Sequence, residues 1–210
     1  MPLQNRVDPW GEIVADPARG LLFGNRGGRI HGPGQRLTKR RWASRAWICC
    51  VLSFKNRQRQ IMSPNSYTEL FFLDEVTALA AGHRPCFECR RHDAIEFLNV
   101  YAEACQMTKR PSAPAFDKVL HGHRLDGKTK RLVERPSGEL PSGTMIEWQD
   151  AAWAVRGQSL LRWSFQGYTD ECALPSGGTV RVITPHPMVE SLRLGYNPLF
   201  HPSADQFVRA

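Results

Sequence analysis

The 210-residue chain lacks most of the short signatures that mark common enzyme chemistries. It has no Gly-x-Ser-x-Gly elbow, no glycine-rich dinucleotide fingerprint and no His-Glu-x-x-His zinc helix. Its glycine-rich stretch, Gly24 to Gly34, does not end in Gly-Lys-Ser/Thr, so it is not a P-loop. No pair of carboxylates stands out for acid/base work, and no internal repeat is found. No run of about 18 apolar residues exists, which excludes a membrane-spanning helix. The start, Met1-Pro2-Leu3-Gln4-Asn5-Arg6, has no apolar segment of the kind a secretion signal needs. Acidic residues are scarce in one place. Residues 1–60 hold 12 Lys/Arg against 3 Asp/Glu, an excess of nine positive charges, while the other 150 residues are nearly balanced.

Apolar residues make up 41% of the chain, enough for a true core. A chain of this size forms one substantial domain or two small ones and buries about 70% of its unfolded surface. Six cysteines without a secretion signal point to a reducing compartment, the cytoplasm, where thiols stay free or bind metal. Cys105 and Cys172 are isolated and read as structural.

The densest chemistry lies in Ala80-Ala81-Gly82-His83-Arg84-Pro85-Cys86-Phe87-Glu88-Cys89-Arg90-Arg91. Two thiolates three residues apart in a tight turn can both lie about 2.3 Å from one zinc ion. His92 extends the series as Cys86-x-x-Cys89-x-x-His92. An ordinary pair of buried cysteines is the competing reading. A thioredoxin-type redox pair fits less well, because that motif follows a strand and opens a helix, whereas the run before Cys86 reads as helix.

This run, from Glu69-Leu70-Phe71-Phe72-Leu73-Asp74 through Ala-Ala-Gly to Arg84-Pro85-Cys86-x-x-Cys89, resembles the metal-binding module of the Ada-type DNA methylphosphotriester methyltransferases. The resemblance spans residues 69–91. It implies a strand–helix zinc module, zinc on Cys86 and Cys89, and DNA as partner. It also implies an upstream Cys-x-x-x-Cys pair whose first member accepts a methyl group. Here the chain departs from the family and offers only the adjacent Cys49 and Cys50. Side chains alternate across a strand, so at most one of the two can join Cys86 and Cys89. His92 or another group would complete the set.

The charge pattern adds nucleic acid as an expected partner, DNA rather than RNA on the resemblance. Basic clusters interleaved with aromatics are the footprint of a phosphate-backbone binder. Arg40, Arg41, Lys55, Arg57, Arg84, Arg90 and Arg91 are the candidate phosphate contacts, and Gly24 to Gly34 is either a phosphate-contact loop or a flexible one. A second basic cluster runs through Lys109, Arg110, Lys118, Arg124, Lys128, Lys130 and Arg131. A solvated basic face is the alternative. The favoured function is a zinc-containing nucleic-acid-binding protein, with a role in DNA damage handling following from the resemblance. The alternatives are a cysteine-based alkyl-transfer repair enzyme, with Cys49 or Cys50 as acceptor, and a non-enzymatic scaffold with structural zinc.

The pattern predicts an α+β chain. Short strands are expected at 12–14 and 21–23. A hairpin is expected from the run 47–54, its tip at Lys55-Asn56-Arg57 and its return at 59–62, followed by a strand at 67–73. Asp74 caps a helix over 75–81, which Gly82 ends. A second helix over 92–107 carries a stripe of Ile95, Leu98, Tyr101, Ala102 and Cys105. Residues 109–142 read as a proline-containing connector with a short helix at 116–121. His121-Gly122-His123 there is either surface or a metal or acid/base pair. Strands at 144–148, 151–156 and 160–165 make a β-meander whose Trp148, Trp153 and Trp163 are core or a base-stacking platform. Another strand is expected at 180–184 and a last helix at 187–194, with Gly195 as its cap. Three segments result: 1–108 with the zinc module, the connector 109–142, and a β-rich 143–210.

Overall fold

The computed structural model describes residues 1–57 and 60–207. The chain is α+β, with a strand-rich second half. Its strands are β1 (Gln4–Val7), β2 (Ile13–Ala15), β3 (Leu22–Arg26), β4 (Trp47–Val51), β5 (Leu70–Phe72) and β6 (Arg84–Pro85). β7 (Leu125–Asp126), β8 (Thr129–Lys130), β9 (Val133–Pro136), β10 (Met145–Trp148) and β11 (Ala151–Arg156) follow. The last three are β12 (Ser159–Ser164), β13 (Gly167–Ala173) and β14 (Thr179–Val182). The helices are α1 (Glu75–Ala80), α2 (Arg91–Ala104), α3 (Ala113–Arg124) and α4 (His186–Arg193). The first sheet has the order β2-β1-β5-β3-β4-β6 and the second β13-β12-β11-β10-β14-β9, while β7 and β8 form a small pair.

α1 is the pivot of the molecule. All six of its residues are buried. A helix this short is unstable alone, so its surroundings must hold it. One side packs under the first sheet, where Ala78 and Ala81 meet Val7, Leu22, Cys49, Leu70 and Phe72. Val76 and Ala80 meet the second sheet through Met145, Ala154, Leu161 and Ile183. Leu79 joins Phe97, Phe116 and Met188 from α2, α3 and α4. Alanines at these positions let three layers approach one short helix. Both ends are fastened as the sequence predicts. Asp74 Oδ1 accepts from the Thr77 N–H at 2.8 Å and from its hydroxyl at 2.7 Å. Gly82 turns the chain away at φ +85°, a conformation that costs little only without a Cβ.

The same helix start ties in the C-terminal tail. Asp74 Oδ2 accepts from Tyr168 Oη at 2.7 Å and from the His201 N–H at 3.0 Å. Glu75 accepts from Tyr196 Oη at 2.7 Å and from the Leu199 N–H at 3.1 Å. The tail is extended as far as His201 and ends in a 3-10 helix, Pro202–Phe207, that the sequence did not suggest.

Several expectations are corrected. β4 does not pair with residues 60–62. Lys55 and Asn56 do turn, each with φ 53°, but residues 60–62 form no strand and Arg59 lies outside the described residues. β4 pairs antiparallel with β3 and parallel with β6. A Cβ at Gly24 would stand 1.9 Å from Ile48 O, so glycine permits this close approach. The stretch 109–142 is no loose connector. It holds α3, about three turns rather than one or two, capped by Ser112 and buried through Phe116 and Leu120. It also holds β9, paired with β14. The second-half strands thus share one core with α1 from the first half.

On α2 the inward stripe is Ala94, Phe97, Leu98, Tyr101 and Ala102, whereas Cys105 is exposed. Trp153 is buried in the second sheet, and Trp148 and Trp163 pack partly against its clusters, so the tryptophans serve as core. β13 escaped the sequence reading because its middle, Thr169-Asp170-Glu171, is a polar run without apolar alternation. Among the described residues, no helix is long and apolar enough to cross a membrane.

The basic residues divide in an unexpected way. Arg26 and Arg124 are fully buried and sandwich the Trp47 ring, their guanidinium carbons 4.1 and 4.3 Å from its centroid. Burial lowers both to about 9. Arg26 Nη2 donates to Gly11 O at 2.7 Å, and Lys130 donates to Ala80 O. Part of the glycine-rich segment and of the second basic cluster therefore serves the interior.

Candidate metal centre

Three thiols converge at the edge of the first sheet. Cys50 comes from β4, whereas Cys86 and Cys89 come from the turn between β6 and α2. The turn is fixed to the strand directly: the Cys86 N–H donates to Cys49 O at 3.0 Å, and β6 runs beside β4 with Pro85 opposite Cys49. The Arg90 N–H closes the turn on Cys86 O at 3.0 Å. The sulfurs of Cys50, Cys86 and Cys89 all lie within 4.8 Å of one another. Three ligands about 2.3 Å from a tetrahedral zinc stand ~3.8 Å apart, so little movement is needed.

The donor chemistry fits a thiophilic metal. Cys86 is pulled well below the usual thiol range, first by hydrogen bonds from Cys50 and Cys89 and then by the backbone N–H groups of Cys89 and Glu88. The Glu88 N–H lies 3.3 Å from Cys86 Sγ. Cys50 is pushed up by the same two partners and by burial. Cys89 is raised on balance: its hydrogen bond with Cys50 and the Val51 N–H lower it, but Cys86 and burial outweigh them. Backbone donors aimed at sulfur stabilise the thiolates a metal requires. Cys50, Cys86 and Cys89 would hold the ion.

Cys49 and His92 are not brought to this cluster. Cys49 points to the other face of β4, into the core beneath α1, with Arg90 Nη1 3.7 Å from its sulfur. Burial raises its thiol far above the ordinary value. His92 sits in the first turn of α2 with a side chain 90% exposed, beside Asp93 and Glu96. The helix turns it outward, since α2 already begins at Arg91.

The predicted phosphate contacts also separate. Arg84 makes a two-pronged pair with Asp117, Nε to Oδ1 at 2.9 Å and Nη2 to Oδ2 at 2.8 Å, and is buried. Arg90 is buried between Glu75 at 2.8 Å and Asp93 at 2.6 Å. Both correct the expectation of solvent-facing arginines: their charges are already matched inside the protein. Arg40, Lys55, Arg57 and Arg91 are exposed. Arg41 pairs with Glu12 and Arg57 with Glu88, each at 2.5 Å near the surface. Such solvent-screened pairs contribute little to stability and exchange partners readily.

His121 packs edge-on against Trp42 and Trp47, and His123 faces His186, so the His-x-His pair diverges. The sequence reading missed a cavity of about 460 Å³ beside the thiols, lined among others by Phe23, Asn25, Tyr67, Glu69 and Phe71. Its one local signal was Glu69, a charge opening an otherwise apolar strand.

No protein-family model, no curated protein and no solved structure matches the chain.

Proposed function

We propose that this chain is a zinc protein that binds nucleic acid, using the Cys50, Cys86 and Cys89 centre to rigidify the surface around it. The carrying observation is the three-thiol cluster itself, held by a strand and a turn from distant parts of the chain. A structural metal at such a junction contributes folding free energy directly. Exposed Lys55, Arg57 and Arg91 on the flanking segments, with Arg40 further along the surface, support a phosphate-binding face. The likeness of residues 69–91 to the Ada-type module supports DNA over RNA and a setting in damage handling.

The test has two parts. Elemental analysis should find about one zinc per chain, lost on Cys86→Ser. Equilibrium binding to DNA should then weaken steeply with salt. Zinc without any salt-dependent binding to DNA or RNA would leave a structural scaffold and sink the reading.

The alkyl-transfer reading keeps one possible acceptor, because Cys50 lines the cavity whereas Cys49 is sealed in the core. Cys50 is buried, and its hydrogen bonds with Cys86 and Cys89 push its thiol up. A raised thiol is a poor nucleophile unless a metal offsets the shift. Mass spectrometry after exposure to methylated DNA should show no gain of a methyl group.

A further inference from the structure

The outer face of the first sheet is left bare beside the thiols, and its register sets a particular chemistry there. Cys50, Phe23 and Phe71 lie side by side across β4, β3 and β5. Asn25 stands in the next row opposite Ile48, and Glu69 shares this face because it precedes Phe71 by two residues. Aromatic surface thus adjoins the sulfurs, with a carboxylate and an amide beyond. Phe54 and Tyr67 contribute further aromatic lining.

Glu69 is the unexplained group. It is 3% exposed, its Oε2 accepts from the Met62 N–H at 2.7 Å, and its Oε1 has no hydrogen-bond partner among the described residues. A buried acceptor without a donor is costly, so the free oxygen points to a donor supplied from outside. The mouth carries Arg57, paired with Glu88, and Lys55 lies beside it. Arg57 and Lys55 are exposed, each lying over the Phe54 ring, 5.6 and 5.1 Å from its centroid. An aromatic interior with an acceptor inside and cations at the rim matches a nucleotide: base within, phosphate outside. An organic cation would also satisfy Glu69, but the rim cations oppose its entry.

We propose that this cavity receives one unstacked nucleobase, from a single strand or a locally opened duplex, and that Glu69 Oε1 accepts an N–H from its edge. The base stacks against Phe23 and Phe71, and Arg57 exchanges Glu88 for the adjoining phosphate. The inference rests on the nucleic-acid reading above and gives that site its substrate class.

The test uses the full zinc-loaded chain and short single strands of one length at one salt concentration. One strand carries a central cytosine, one an abasic residue, and one N4,N4-dimethylcytosine, which offers no N–H donor. The cytosine strand should bind about tenfold more tightly than the other two. Glu69→Gln should abolish that preference while leaving zinc content and the salt slope unchanged. Phe71→Leu should reduce it and serves as the second variant if Glu69→Gln misfolds. Equal, salt-dependent binding of all three strands would overturn the pocket but keep the nucleic-acid reading. Absence of binding to every strand would overturn both. Saturable binding of tetramethylammonium that competes with the cytosine strand's preference would reassign the cavity to an organic cation.

Discussion

The sulfur of Cys49 lies 3.7 Å from Arg90 Nη1 on the core side of β4, while its neighbour Cys50 faces Cys86 and Cys89 on the other side. Adjacent cysteines thus have separate roles, one in packing and one in the thiol cluster. Cys50→Ser, Cys86→Ser and Cys89→Ser should each lose zinc and several kcal/mol of stability. Cys49→Ala should keep full zinc content and cost about 1–2 kcal/mol through a small cavity. Metal loss in Cys49→Ala would reverse the assignment.

Arg90 is the buried counter-ion of Glu75. Removing one member leaves a charge stranded in the interior. Arg90→Met should therefore destabilise by about 3–5 kcal/mol, and Arg90→Met with Glu75→Gln by less than the two changes summed. Urea unfolding of the single and double variants measures the coupling, and simple additivity would remove the pair from the account.

Asp74 joins the α1 cap to Tyr168 and to the tail at His201. Tyr168→Phe removes one of these bonds and should cost about 1–3 kcal/mol. Asp74→Ala removes all of them and should cost more, while also loosening the tail. Limited proteolysis near His201 would report that release, and an unchanged cleavage pattern would contradict it.

His83 is fully buried, and its pKa is lowered well below 6.5 by burial, with Arg26, Arg124 and Lys130 adding repulsion. The unfolded chain binds a proton near pH 6.5 that the folded chain refuses. Protons bound in the unfolded state then exceed those in the native state, so stability rises with pH in this range. The contribution is complete above pH about 6.5 and declines on acidification, by up to about 1.4 kcal/mol per pH unit. Its ring packs on Trp47 and Phe72, at 5.1 and 4.7 Å between centroids, so His83→Phe can fill the space. That variant should unfold with a flatter dependence between pH 5 and 6.5. An equal slope in both proteins would place the proton elsewhere.

Salt dependence tests the exposed basic face. If Lys55 and Arg57 each neutralise one phosphate, replacing both by alanine should flatten the slope of log K against log salt by about 1.8 on duplex DNA. Arg84→Ala should instead unfold the protein, because Arg84 is committed to Asp117. A slope unaffected by Lys55 and Arg57 would move the contact surface away from the thiol centre.

Short-range signals were legible in the sequence. Asp74 and Gly82 bracket α1, Cys86 and Cys89 share one turn, and β11 falls at Ala151–Arg156. Each depends on residues a few positions apart, which a local pattern can encode. Alternation also required that Cys49 and Cys50 separate. Which of them meets Cys86 was decided by register: Phe23 opposite Cys50 and Gly24 opposite Cys49 set the two faces of the sheet. The same long-range pairing buried Arg84 and Arg90 against carboxylates and turned 109–142 into packed structure. It also set Glu69 beside a cavity with one oxygen unmatched among the described residues. An arginine reads alike whether it meets solvent or Asp117, and only the three-dimensional neighbourhood supplies the partner that settles its role.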